Sequence, residues 1–512
     1  MSTLLSKSVM PERAECRRRT TIGAWVGPAA IAAFVLFNFA YVAWWCPHDL
    51  APDEAHYWDW SRQLDIGYYS KGPLVAWLIR GGCVLFGDTP VGVRSVAVAS
   101  GGLLLLGLWR LTGLATRNHQ TATGVVLAAM SHPAVSAAGV IATIDGPFLA
   151  CWAWAAVATL RKRWVLAGLL VAVGTLAKPT MLLYPACVLV LLALRPEWRS
   201  RRVLAFFGTS VLGLIPLLIW NAAHDWVSVR HTFGHAGNNG NPTPWYSPLA
   251  FVGGQFALLL GIWFVAWVRA GWQFRPWKTD SETACLWCLS VPVFAAFLVA
   301  TVKTAGEPNW PAAGYISGAV LVAKWAQGRS HRGWVVWVVV LGLLVSATVR
   351  WPGVVRPLVA KLLPDAAENA PPAIRKLDPS ARLAGWKTLA EAVDEVRSEL
   401  QDPLIVTMAW TVPGELAFYC DGHPTVYTFA PAVDDRFSQY DVWRPNPVAD
   451  AQAFRGRTFV YVGTALPDGV FERIEPVRRV THSDGGVPVA SWTIWVGRGY
   501  RGFDPTDKPP RY

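Results

Sequence analysis

Between residues 22 and 350 the chain is a succession of apolar runs of about 15 to 25 residues, each ended by a short polar loop. A helix crossing ~30 Å of hydrocarbon needs about 20 apolar residues. Runs of this length and regularity commit most of the chain to a bilayer. The run at 22–45 is uncharged and follows Arg17, Arg18 and Arg19. It is longer than a signal-peptide core and reads as a retained anchor with the N-terminus inside. Further runs fall at about 90–110, 121–141, 145–160, 164–177, 180–194, 203–220, 248–269, 283–302, 309–326 and 332–350. Eleven spans are expected, the fifth and sixth short and separated by Lys178 and Pro179.

Composition agrees, because 16% charged against 53% hydrophobic residues cannot cover a soluble globule of 512 residues. The 29 Trp and 13 Tyr suit the headgroup level of a membrane, and aromatic faces also bind sugars. A net charge of +12 suggests nucleic acid at first, but the basic residues lie in short loops rather than along one stripe. Alternation puts Arg110, Arg117, Arg161 to Arg163, Arg195 to Arg202, Arg269 to Lys278 and Lys324 to Arg332 on the N-terminal side. The opposite loops hold only scattered basic residues, so the positive-inside rule places those loops outside. Cys285 and Cys288 have C-x-x-C spacing without a second pair or a His cluster, which reads as packing.

The expected division is a cytoplasmic tail at 1–21, a transmembrane core at 22–350 with a first outer loop at 46–89, and an outer soluble α/β unit at 351–512. Pro364, Pro371 and Pro372 open that last unit. Helical periodicity covers 386–400, and Leu404 to Met408, Thr425 to Phe429, Thr458 to Val462 and Ser491 to Val496 read as strands.

The outer loops concentrate the polar chemistry. The first carries Asp53, Glu54, His56 and Asp59 directly after the first span, then Tyr68 and Lys71 before Gly72-Pro73. Residues 55–63 read as an interfacial helix, and Gly72-Pro73 as the start of another. A helix start beside Lys71 would favour an anion through its free N–H groups and dipole. Asp145 stands alone between two apolar runs, where a carboxylate is costly unless used or paired. Lys178 follows, then a loop with His224, Asp225, Arg230, His231 and His235, and last a loop with Lys303, Glu307, Asn309 and Trp310. The histidine spacing matches no compact metal motif. A divalent ion held in part by Glu54 or another carboxylate stays open. Polar chemistry gathered on one face points to an interfacial enzyme. A transporter should bury charges near the midplane and repeat its hydropathy in two halves.

The ordered segments PDEAHYWDWSRQL, GYYSKGPLVAWLIR, TIDGPFLA, a Lys-Pro after a Gly-rich run, WNAAHDWVSVRHTFGH and EPNWPAAGY resemble the bacterial protein O-mannosyltransferase superfamily. That group includes the lipid A aminoarabinose transferases. The likeness runs over about residues 22–350. It implies a multipass GT-C fold with a C-terminal α/β domain, and inversion at the anomeric carbon. By that likeness Asp53 is the catalytic base or orients the acceptor, and Asp145 is the second essential acid. Tyr68 and Lys71 grip the carrier phosphate. Ser70 departs from the aminoarabinose branch, which has an acid there linked with a metal site.

The expectation is a glycosyltransferase of the inner membrane, moving a sugar from a polyprenyl-phosphate donor to a glycolipid, glycan or protein acceptor on the periplasmic face. Lys71, Tyr68, Arg230 and Lys178 would meet the phosphate. Glu54, His56, Glu307 and Asn309 would bind substrate, and Trp58, Trp60, Trp245 and Trp310 would face the sugar. The alternative is a lipid or glycan transporter without transferase activity.

Overall fold

The computed structural model describes residues 10–236, 244–304, 306–327, 332–361, 374–433 and 436–503. Residues 1–9 of the expected N-terminal tail and the prolines at 364, 371 and 372 lie outside the described residues, as does the side chain of His235.

Helix α1 (Met10–Ala40) runs into a wider turn at Tyr41–Trp45 and presents Trp25, Leu36 and Trp44 outward. Then come α2 (Pro52–Arg62), α3 (Leu74–Phe86) and α4 (Pro90–Thr116). Among the described residues, four helical stretches are long and apolar enough to cross a membrane: Ala24–Trp45, Pro90–Thr116, Arg202–Ala223 and Ser281–Ala300. Shorter apolar helices include Leu74–Phe86, Trp164–Ala177, Pro179–Leu194, Ala312–Ala326 and Val335–Arg350.

The uninterrupted spans expected from hydropathy are therefore corrected in several places. The 248–269 run is a pair, Ser247–Leu258 and Ile262–Gln273, bent by 110° where Leu260 and Gly261 take positive φ. The 121–141 run breaks at Pro133, which has no N–H to continue the helix. Hydropathy measures apolarity and does not register such breaks. Leu204, Leu344, Trp272 and Trp337 are among many large apolar side chains left on the outside. A surface of this kind belongs in lipid, and the protein is a multipass helical membrane protein.

The core of the bundle forms around the Asp145–Leu160 helix, whose Ala153, Ala155 and Ala156 let neighbouring helices approach closely. Arg350 fastens α1 and the Pro133–Ala138 helix to the last helix of the bundle. Its Nη2 donates to Asn38 Oδ1 at 2.6 Å, and its Nε to Ser136 Oγ at 2.9 Å.

The C-terminal unit is a five-stranded sheet in the order β2-β1-β3-β5-β4, formed by β1 (Leu404–Thr407), β2 (Val426–Thr428), β3 (Phe459–Val462), β4 (Phe471–Asp484) and β5 (Val487–Tyr500). β1 pairs parallel with β2 and β3, and β5 runs antiparallel to both β3 and β4. The helix Trp386–Ser398 packs its buried Leu389 and Val393 against the sheet. This α/β unit sits directly on the first loop. The helix Pro413–Tyr419 lies so close to α2 that a Cβ on Gly414 would stand 2.7 Å from the carbonyl carbon of Ala55. Asp49 Oδ2 accepts from Trp386 N at 2.9 Å, and Tyr419 Oη accepts from Leu50 N at 2.7 Å.

Candidate active site

Pro52 opens α2, where its missing N–H costs nothing, and Glu54 Oε2 accepts from Ala51 N at 2.8 Å. Successive residues on a helix point about 100° apart. Asp53 and Glu54 therefore face different surroundings. Glu54 turns into the protein, is 0% exposed, and pairs with Arg94 through Nη2 at 2.9 Å and Nε at 3.1 Å. It also accepts from Ala142 N at 2.7 Å. Its lone pairs are occupied, so the expectation that Glu54 contacts substrate gives way to a buried staple joining α2, α4 and the segment before Asp145.

Asp53 faces a small cleft between the first loop and the C-terminal unit. The cleft is lined by Asp53, His56, Tyr57, Tyr69, Ser70 and Lys71 from the first loop, and by Trp410, Arg436, Phe437 and Ser438 from the C-terminal unit. Asp53 is open at the mouth but ringed by protein on its other sides. Burial raises its carboxyl above the ordinary range, while Lys71, Arg436 and a 3.5 Å hydrogen bond from Tyr57 Oη pull the other way. The open face tempers the shift.

Lys71 Nζ has no hydrogen-bond or ion-pair partner among the described residues. Burial lowers its pKa, Lys178 adds to this, and Asp53 and Asp145 oppose it. Both acids are thus within electrostatic reach of one ammonium. Asp145, first residue of its helix, accepts from Lys178 Nζ at 2.7 Å through Oδ1 and from Asn309 Nδ2 at 2.9 Å through Oδ2. Three separate loops therefore meet at Asp145.

Other expected residues lie elsewhere. Tyr68 is 1% exposed, stacks on Trp60 at 4.4 Å, and donates to the carbonyls of Trp60 and Gln63. The cleft tyrosine is its neighbour Tyr69, whose backbone N donates to Gln439 Oε1 at 2.7 Å. Arg230 is exposed on the Val227–Ala236 helix, and its neighbour His231 turns inward to Tyr69 Oη at 3.2 Å. The cleft arginine is Arg436, which donates to His231 Nε2 at 3.1 Å and lies 5.1 Å from the centroid of the Trp410 ring. Glu307 is exposed at the surface. Trp58 and Trp60 are 0% exposed and belong to the core, so the indole that faces the cleft is Trp410. Sequence reasoning missed Arg436 and Trp410, which lie in a tail of ordinary charge and no diagnostic spacing.

Residues 70–220 match the family profile described as dolichyl-phosphate-mannose-protein mannosyltransferase. A lipid A galacturonosyltransferase, RgtD, of Rhizobium johnstonii is 29% identical over 299 residues, which cover 55% of this chain. The chain spans 62% of the length of that curated relative. The crystal structure of ArnT from Cupriavidus metallidurans bound to undecaprenyl phosphate superposes with a TM-score of 0.59 at 16% identity, covering 91% of this chain and 97% of that one. The chain shares its fold with ArnT. The apo form of the same ArnT gives a TM-score of 0.58 over 93% of this chain and 98% of that one. At 16% identity this likeness is one of fold, and it extends over the helical bundle and the sheet unit alike.

The divalent ion implied by the resemblance to the aminoarabinose branch would need several oxygen donors converging in the cleft. Ser70 occupies the cleft where that branch has an acid, Glu54 is taken up by Arg94, and among the described residues no three His, Cys, Asp or Glu side chains converge. The donors among the described residues do not fit a protein-held divalent ion.

Proposed function

We propose that this GT-C protein is an inverting glycosyltransferase of a bacterial inner membrane. It moves a sugar from a polyprenyl-phosphate donor to an envelope lipid or glycan, with the cleft and the 351–512 unit on the periplasmic side. One observation carries the reading: a carboxylate, Asp53, shares a single cleft with two cations, Lys71 and Arg436, at the junction of helical core and sheet unit. Two cations suit a phosphate, and a carboxylate of raised pKa suits a base near neutral pH. The name of the curated relative and the undecaprenyl phosphate in the ArnT crystal are of the same chemical kind.

The reaction is a single displacement. The acceptor oxygen or nitrogen attacks the anomeric carbon from the face opposite the phosphate. The bond from that carbon to the phosphate oxygen breaks, and the electron pair leaves with the polyprenyl phosphate. Asp53 takes the acceptor proton. Lys71 and Arg436 oppose the charge gathering on the leaving phosphate, an effect worth about 3 kcal/mol for each well-placed donor. Asp145, fixed by Lys178 and Asn309, positions the acceptor.

The test is release of polyprenyl phosphate from a polyprenyl-phosphate sugar by purified protein, together with mass spectrometry of envelope glycolipids from cells with and without the gene. Transfer adds one sugar mass to one glycolipid class. Identical glycolipid spectra, with no release by the purified protein, would sink the proposal.

A further inference from the structure

His56 lines the cleft beside Asp53 and Tyr57, yet the displacement just described assigns it no part. It is 5% exposed and held between aromatic rings, with centroids 4.8 Å from Trp60, 4.9 Å from Tyr440 and 5.6 Å from Trp410. Packing of this kind fixes the ring plane. A neutral imidazole carries one N–H and one bare lone pair, on different nitrogens. Burial, reinforced by Arg436, pushes the His56 pKa down to about 3, so the ring is neutral.

The two nitrogens differ in their surroundings. Nδ1 is sealed from solvent and has no hydrogen-bond partner among the described residues. Nε2 is not sealed in this way, and the open space next to the ring is the cleft. Buried N–H groups without an acceptor are rarer in folded proteins than buried acceptors short of a donor. The proton therefore belongs on Nε2, with the bare lone pair of Nδ1 on the enclosed side.

Lys71 and Arg436 already answer for the phosphate charge. A neutral N–H close to the Trp410 ring fits the other half of the donor. A sugar ring presents hydroxyl oxygens at its edge and C–H groups on its face. We propose that His56 is a substrate-orienting residue whose Nε2–H donates to an oxygen of the transferred sugar, with Trp410 as the face on which that ring rests. This deepens the glycosyltransferase reading and rests on it.

The tautomer makes the proposal testable by isosteres. In His56→Gln the amide N–H can stand near the position of Nε2, in His56→Asn it stands near Nδ1, and His56→Phe keeps only the ring. Full-length protein in detergent is assayed for kcat/KM on a polyprenyl-phosphate sugar, and separately for binding of sugar-free polyprenyl phosphate. The Gln variant should stay within about threefold of wild type, and the Asn and Phe variants should lose about tenfold or more, as expected for one neutral hydrogen bond. Binding of polyprenyl phosphate should be unchanged in all three. A Phe variant as active as wild type overturns the inference alone, as does an Asn variant that outperforms Gln. Weakened polyprenyl-phosphate binding in step with activity also overturns it, because the role would then be structural. A wild-type protein that releases no sugar overturns the parent reading and this inference together.

Discussion

Lys178 Nζ donates to Asp145 Oδ1 at 2.7 Å, and the pair joins the start of the Asp145–Leu160 helix to the residue just beyond the Trp164–Ala177 helix. Asn309 holds the second carboxylate oxygen from a third loop. Groups that act as a unit show non-additive losses. Asp145→Asn and Lys178→Met should each lower sugar transfer tenfold or more, by about 1.4 kcal/mol of barrier. The double variant should be no worse than the poorer single one. Multiplying losses in the cycle would mean that the two residues act separately.

Asp53→Asn should reduce transfer more than a hundredfold, within the range of about 10² to 10⁴ for general-base catalysis, while gel filtration shows folded protein. Turnover close to wild type would remove the base assignment.

Removal of Arg436 tests the electrostatics of the same carboxylate. Arg436 lowers the pKa of Asp53, so Arg436→Gln should raise it. A base works in its ionised form, and activity is lost as pH falls through its pKa. The acid limb of kcat/KM should therefore move to higher pH in Arg436→Gln, with weaker binding of polyprenyl phosphate. Arg230→Gln, at an exposed position, should change neither. An unmoved limb in Arg436→Gln would separate Arg436 from Asp53.

Glu54 yields a stability prediction instead of a catalytic one. Breaking a buried ion pair by removing one partner costs about 3–5 kcal/mol, because the other charge is left uncompensated. Glu54→Ala should cut the yield of folded protein and lower the unfolding temperature, which thermal-shift measurement in detergent would register. A stable variant with only a raised donor KM would return Glu54 to the substrate.

Glu415 is 0% exposed, and neither carboxylate oxygen has a partner among the described residues. Burial, with Asp49 and Glu54 nearby, raises its pKa well above 4.5. Above pH 4.5 the unfolded chain releases this proton and the folded one keeps it, so stability falls as pH rises toward the folded pKa. Glu415→Gln should raise the unfolding temperature at pH 7.5 by a few degrees and make little difference at pH 4.5. Equal effects at both pH values would contradict a protonated Glu415.

The sequence pointed to the candidate cleft to within one residue more than once. Polar loops on one side of apolar runs pointed to Asp53 and Lys71, which line the cleft, and to Asp145, Lys178 and Asn309, which bond to one another within electrostatic reach of Lys71. Among adjacent polar pairs, however, Glu54, Tyr68 and Arg230 turn away, while Asp53 and Tyr69 line the cleft and His231 reaches Tyr69. Neighbours share a loop but not a direction, and direction is set by packing that composition does not encode. Arg436 and Trp410 were invisible for a different reason. They reach the cleft only because the sheet unit packs its 413–419 helix on α2, a contact between segments some 360 residues apart. The long β4–β5 hairpin was half seen. Its strand at 471–484 alternates too weakly, with charges along its exposed face, although Gly485-Gly486 with positive φ at both positions marks the turn.

The cleft takes one wall from residues 53–71 and the other from residues 410–438. Asp53 and Lys71 sit beside the first helix of the bundle, but the opposing indole and guanidinium, Trp410 and Arg436, follow them by about 340 residues or more of chain. The cleft is therefore complete only once the sheet unit has packed over the first loop.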